Sequence, residues 1–373
     1  MPDRMKRSRM LARLDQEIGV ASSSVEADCK RAERAAYRAR LGLFIEAKVE
    51  LDTLRSAYES RPQVQVSAWL NLLDGLIGHF SDMNIDARVR ILRSHALSSA
   101  ADLPYIRALS AAWLAHMEYL RLDIPSMASH AAEALRLSTL QQHSVRSRVG
   151  LVLAQAFHLA GRLELALPWY ATARDHAIAE GDDATVSAMM HNMAWLRAQR
   201  LRAGDCGLSA EPTRSEEHAL LAAESTANFD SLIGSRSLPA LVPVLRAQIL
   251  TVEKRYGEAL ALFEEELTSA VQEGMERLQA DLLADQAWCR VQLGQRTAAL
   301  HDANLARAAI NVNGQFDDRA LAYGRLARTF AVLDRPGDAR QLGELAREAW
   351  AAHVSLQKRI LDTLERSREL HKP

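Results

Sequence analysis

Leu153-Ala154-Gln155-Ala156-Phe157 is followed by Gly161-Arg162-Leu163-Glu164-Leu165-Ala166-Leu167, and then by Tyr170 and Ala173. The stretch predicts two helices joined at Gly161, with small and large residues set at helical spacing on both sides of the turn. Similar second halves stand at Gly42-Leu43-Phe44-Ile45-Glu46-Ala47, at Tyr256-Gly257-Glu258-Ala259-Leu260 with Phe263, and at Gly294-Gln295-Arg296-Thr297-Ala298-Ala299-Leu300.

These stretches share one register. Steps of 40, 40, 39, 40, 53, 40 and 40 residues connect Ala35, Gly75, Ala115, Ala154, Ala194, Ala247, Ala287 and Ala327. A second row follows at Ala47, Ala87, Met127, Ala166, Ala219, Ala259, Ala299 and Ala339. Two antiparallel helices approach closely only where both carry small side chains. One helix pair cannot bury its own apolar face, so neighbouring pairs must stack. The spacing therefore predicts eight helix pairs over residues 28–359, with capping helices at 1–27 and 360–373. The longer step marks a 13-residue insertion near 202–215, where Gly204, Gly207 and Pro212 signal a loop. It would be a surface loop or a flap over a groove. Leu356, Ile360, Leu361 and Leu364 at helical spacing predict one long helical stretch from about 338 to 370.

A large residue before a small one, an aromatic three later, a Gly turn, and Ala/Tyr/Ala at spacings of four and three together resemble a tetratricopeptide (TPR) repeat. The resemblance covers nearly the whole chain. The period exceeds the family's common length of about 34 and is similar to that of TPR-type sensor domains in bacterial signalling proteins. Arg38, Gly78, Glu118, Arg197 and Arg290 stand where the family has an aromatic or Leu, and HEAT-like repeats of similar period are the alternative. The resemblance implies an all-α, right-handed superhelical solenoid. It also implies a concave groove for a peptide, a protein partner or a small signalling molecule, in a non-catalytic sensor or scaffold of signal transduction. A constitutive protein–protein adaptor is the other role it implies.

Composition narrows the field. With 46 Lys+Arg against 47 Asp+Glu the chain has no strong field for nucleic acid or membrane. It has no apolar run of transmembrane length. The basic start MPDRMKRSRMLARL lacks the uninterrupted apolar segment of a secretory signal. Cys29, Cys206 and Cys289 are odd in number and far apart, which fits a reducing compartment and a cytoplasmic location. No GxxxxGK[ST], GxGxxG, HExxH, GxSxG or CxxC is found. Neither an enzyme nor a cofactor is expected, and the sequence sets no oligomeric state.

In the TPR family the first helices line the groove. With the small residue at position 8, positions 2, 5, 9 and 12 form one helical stripe. The stripe holds four of the twelve His and three of the six Trp. Its candidate binding residues are His116, Tyr119, Gln155, His158, His191, Trp195, Gln248 and Trp288, with Asn192 beside it. Trp, Tyr and His combine an apolar body with a polar tip, and Gln and Asn offer the donors and acceptors that a peptide backbone needs. Trp195, Gln248 and Trp288 share one stripe position in repeats five to seven, and Gln155 and His116 continue it. His116, His158 and His191 come from successive repeats with no carboxylate evident among them, so no metal site is expected.

Overall fold

The computed structural model describes residues 8–84, 86–209, 219–233, 239–367 and 370. These residues form seventeen α-helices and no strand. A capping helix α1 (Arg9–Gly19) comes first. Helix pairs follow as α2 (Ser24–Arg40) and α3 (Phe44–Ala57), α4 (Val64–Asp82) and α5 (Ala87–Ala100), α6 (Pro104–Leu120) and α7 (Ile124–Leu137), α8 (His143–Leu159) and α9 (Leu163–Glu180). The second half has α10 (Asp183–Asp205) and α11 (Ala219–Ile233), α12 (Leu241–Val252) and α13 (Tyr256–Gln272), α14 (Gln279–Gln292) and α15 (Arg296–Ala309), α16 (Phe316–Val332) and α17 (Pro336–Arg366). A short 3-10 turn at Met275–Leu278 precedes α14.

Local sequence explains the boundaries. The Ser8 and Ser23 side chains accept backbone N–H groups of Leu11 and Glu26 at the starts of α1 and α2, and Asp123 does the same for Ser126 at α7. The turns between paired helices recur. Gly42, Met83, Leu122, Gly161, Lys254, Gly294 and Asp334 all have φ between 52° and 78°. At six of these turns the next residue donates its N–H five residues back, as Arg162 does to Phe157 and Gln295 to Arg290, both at 2.9 Å. That bond closes the helix end in a left-handed C-cap.

Small residues let the paired helices approach. Ala35, Ala115, Ala154, Ala247 and Ala287 of the first row are fully buried, as are Ala47, Ala166, Ala259 and Ala299 of the second. A methyl added to Gly150 of α8 would sit 3.2 Å from Ala173 of α9.

Two boundaries differ from expectation. The first repeat starts at Ser24 rather than 28 because Ser23 caps α2 there. At the other end α17 runs 31 residues without a break at 360, as the helical spacing of Leu356, Ile360 and Leu364 predicts, and it contains no Gly or Pro after Gly343. The basic side chains of residues 4–7 and the insertion from 210 onward lie outside the described residues.

The chain divides into two compact units. The first comprises Met1–Met189, Phe229–Ser237 and Lys358–Pro373, and the second Met190–Asn228 and Leu238–Gln357. In the first, Met10, Leu11 and Leu14 of α1 cover Tyr37, Leu41 and Leu43. In the second, one core gathers Val244, Leu250, Phe263 and Leu282, and another Ala287, Ala303, Leu326 and Phe330. Among the described residues no helix is long and apolar enough to cross a membrane.

Candidate functional site

In the second unit the first helices of three pairs, α10, α14 and α16, carry a charge network. Arg202, at the end of α10, donates to Asp281 at 2.7 and 2.5 Å and meets Asp285 at 2.7 Å. Arg325 of α16 takes the other Asp285 oxygen at 2.7 Å and also pairs with Asp205. All four of Arg202, Asp281, Asp285 and Arg325 are buried. Each guanidinium meets carboxylates, so the network balances its own charge, the condition under which ions are tolerated in an interior. The described start of the insertion is tied into this network. Asp205 binds Arg325 and Arg328, and Cys206 packs against Gly324, whose added Cβ would lie 3.1 Å from that of Cys206.

The first unit does not balance in the same way. A cavity of about 30 Å³ lies among Tyr37, Arg40, Trp69, Trp113, Arg148 and Thr185. Its walls come from α1 and from the first helix of five successive pairs, α2, α4, α6, α8 and α10. Arg40 donates to Asp182 at 2.9 Å and to Thr185 Oγ1 at 2.6 Å. Thr185 in turn donates its hydroxyl and its backbone N–H to Asp182 at 2.8 and 2.9 Å. That carboxylate is fully engaged. Burial opposes its charge, but Arg40 and Thr185 hold the Asp182 carboxyl below its ordinary range.

Arg148 has no such partner. It is 4 % exposed, and among the described residues no carboxylate pairs with it. Its guanidinium carbon lies 3.8 Å from the centre of the Trp113 ring, a cation–π contact. Its only hydrogen bond among the described residues is a long one of 3.5 Å to Thr185 Oγ1, and its Nε is enclosed without a partner. Burial, then the charge of Arg40, pulls its pKa down to about 9. It remains a cation at neutral pH. Glu33, which also lines the cavity, is occupied by Lys30 at 2.9 Å and by the Tyr105 hydroxyl at 2.8 Å.

Two imidazoles stand beside this group. The His79 and His116 rings meet edge to face with centroids 5.3 Å apart, and His116 lies 5.7 Å from the Trp113 ring. Burial, then Arg148, pushes His79 down to about 4. Burial, then His79, Arg148 and Arg40, holds His116 well below its ordinary value. Both are neutral at pH 7 and neither offsets the charge of Arg148.

None of the nine groove candidates is exposed. In the first unit His116 is half-buried, Tyr119 and Gln155 are buried, and His158 is buried with Nδ1 3.2 Å from the Tyr170 hydroxyl. In the second, His191, Asn192 and Trp195 are half-buried, and Trp195 packs against two apolar clusters. Gln248 is fully buried and donates to Asp281 at 3.2 Å. Trp288 is buried against Val291 and Ala299, with Arg328 4.6 Å from its ring centre. The stripe candidates are thus buried or half-buried within each unit rather than presented to solvent. Of the cavity residues, Ala36, Trp69, Leu72, Leu76, Leu109 and Arg148 belong to the stripe, whereas Arg40, Trp113 and Thr185 do not. Their signal in the sequence was weak, because they come from other faces of their helices.

Comparison with protein-family models and with curated proteins finds no match to this chain.

Proposed function

We propose that the chain is a non-catalytic binding protein of the TPR-like, right-handed superhelical type, a ligand sensor or scaffold of bacterial-type signal transduction. The site is the inner wall of the first unit, and the ligand is anionic. It is either a small signalling molecule or a peptide segment that presents a carboxylate. One observation carries this reading. Arg148 is a buried cation with no carboxylate in contact with it among the described residues, since the nearby Asp182 is taken by Arg40, and it lies beside Trp113 and next to a cavity. An isolated buried charge is strongly unfavourable. A carboxylate entering the cavity would supply the missing partner, and the planar guanidinium suits it geometrically. The cavity holds the end of such a ligand rather than a whole one.

Native mass spectrometry of the untagged full-length chain tests the proposal. Wild type should retain a bound anionic molecule or gain thermal stability with acidic peptides. Arg148→Met should lose both. Equal behaviour of the two proteins would overturn it. A second reading, a constitutive adaptor, draws on the outer face of α3, where Ile45 and Val49 lie one turn apart and are 79 % and 62 % exposed. Under that reading Ile45→Asp, and not Arg148→Met, would abolish partner capture.

A further inference from the structure

Away from the inner wall, three metal-ligand side chains converge on the second helices of adjacent pairs in the first unit. They are His95 of α5, and His130 and Glu133 of α7. One potential ligand atom of each lies within 4.8 Å of those of the other two. His130 and Glu133 are three residues apart and so share a face of α7. His95 Nε2 lies 3.1 Å from Glu133 Oε2, and the His95 and His130 rings meet edge to face at 5.8 Å.

The surroundings have the form of an outer ligand shell. Arg107 of α6 donates from Nε at 2.9 Å and from Nη2 at 2.6 Å to Glu133 Oε1. That pair fixes the carboxylate and leaves Oε2 toward the imidazoles. Hydrogen bonds that hold a ligating carboxylate in this way are typical of metal sites. All three residues are half-buried, and Glu133 also lines a surface groove with Ser129, Ala132 and Arg366, which gives an ion a way in.

We propose that His95, His130 and Glu133 bind one divalent transition-metal ion of the zinc class, with water completing its coordination. Two imidazoles and one carboxylate favour such an ion over calcium or magnesium, which take oxygen-rich shells. Binding uses the His95 tautomer that carries its proton on Nδ1, and the ion replaces the Nε2 hydrogen bond to Glu133. The ion then joins consecutive helix pairs through α5 and α7.

The test uses the untagged full-length protein, stripped with EDTA and titrated with Co²⁺. The expected result is one Co²⁺ per chain, with visible d–d absorption that stoichiometric Zn²⁺ bleaches and with a Zn²⁺-dependent rise in melting temperature. His130→Ala should weaken binding by about tenfold or more, and Glu133→Gln likewise. Circular dichroism checks that both variants fold. His143→Ala is the control, since His143 and His176 form a separate contact with Nδ1 atoms 2.8 Å apart. Absence of d–d bands in wild type would overturn the proposal. So would binding that survives His130→Ala, or binding lost in His143→Ala alone.

Discussion

A methyl group on Gly75 would lie 2.9 Å from the carbonyl oxygen of Ala87, its counterpart in the second row of small residues, and 2.7 Å from Ile91 Cγ1. The contact shows what the small residues do. They let α4 and α5 approach until backbone touches side chain, and Ala154 and Ala287 are equally enclosed in their own pairs. Ala154→Leu and Ala287→Leu should each destabilise by about 1–3 kcal/mol through overpacking, and Gly75→Ala should destabilise despite its better helix propensity. Denaturant unfolding measures all three. Losses under about 0.5 kcal/mol would mean that these positions are not the close contacts.

The inter-helix turns make a second prediction with opposite signs at two sites. Gly294 has φ 77°, and an added Cβ would meet nothing within 4 Å, so Gly294→Ala meets only backbone strain and should cost about 1 kcal/mol. Lys254 holds φ 64° with an exposed side chain. Lys254→Gly should therefore be stabilising by up to about 1 kcal/mol. Thermal melts of the two variants should move in opposite directions.

Acid should act oppositely on the two units. The folded first unit keeps His79 neutral down to about 4, whereas the unfolded chain takes up that proton near 6.5. The first unit therefore loses stability as pH falls through that window, and His116 acts in the same direction. In the second unit burial raises Asp318 from 3.8 to about 7, with Arg277 only 3.6 Å away in partial compensation. Its folded form keeps a proton that the unfolded chain releases, so this unit loses stability as pH rises from about 4 to about 7. Denaturation curves across this range should show a smaller first slope in His79→Asn, with His116 supplying the remainder, and a smaller second slope in Asp318→Asn.

The buried network of the second unit should be intolerant of single cuts. Arg202→Met leaves Asp281 unpaired by its main partner and Asp285 with Arg325 alone. A loss of about 3–5 kcal/mol is expected, the range for breaking a buried ion pair on one side. Trp288→Ala should cost a similar amount, because the ring is packed rather than presented to an open groove. Unfolding of the second unit, followed by Trp fluorescence or hydrogen exchange, reads both.

The repeat register was legible in the sequence because close helix contacts demand small residues and turns demand left-handed ones. Ala154, Ala287, Gly161 and Gly294 all sit where that logic puts them. The burial of Arg202 was not legible, since a partner 79 residues away leaves no local pattern. The stripe of His, Trp and Gln was visible as a pattern, yet its enclosure depends on how neighbouring first helices close on one another. Arg148 stood in that stripe without distinction. Its significance arises from what is missing around it, which a list of residues does not display. Likewise the spacing of His130 and Glu133 can be read along α7, while His95 joins them only through the packing of α5.

Cys289 is wholly enclosed in the second unit, its sulfur 3.3 Å from Thr251 Oγ1, and burial pushes its thiol up to about 12. Cys29 in the first unit is raised to about 11, by burial and then by Asp28. A thiol with almost no thiolate and little access reacts only during excursions that expose it. The two sulfurs are therefore stopwatches set into separate units. Each labelling rate, divided by that of the same thiol in the denatured chain, clocks how often its own surroundings come apart. Without any introduced cysteine, the protein reports which unit breathes first when a ligand, a metal or a change of pH is applied.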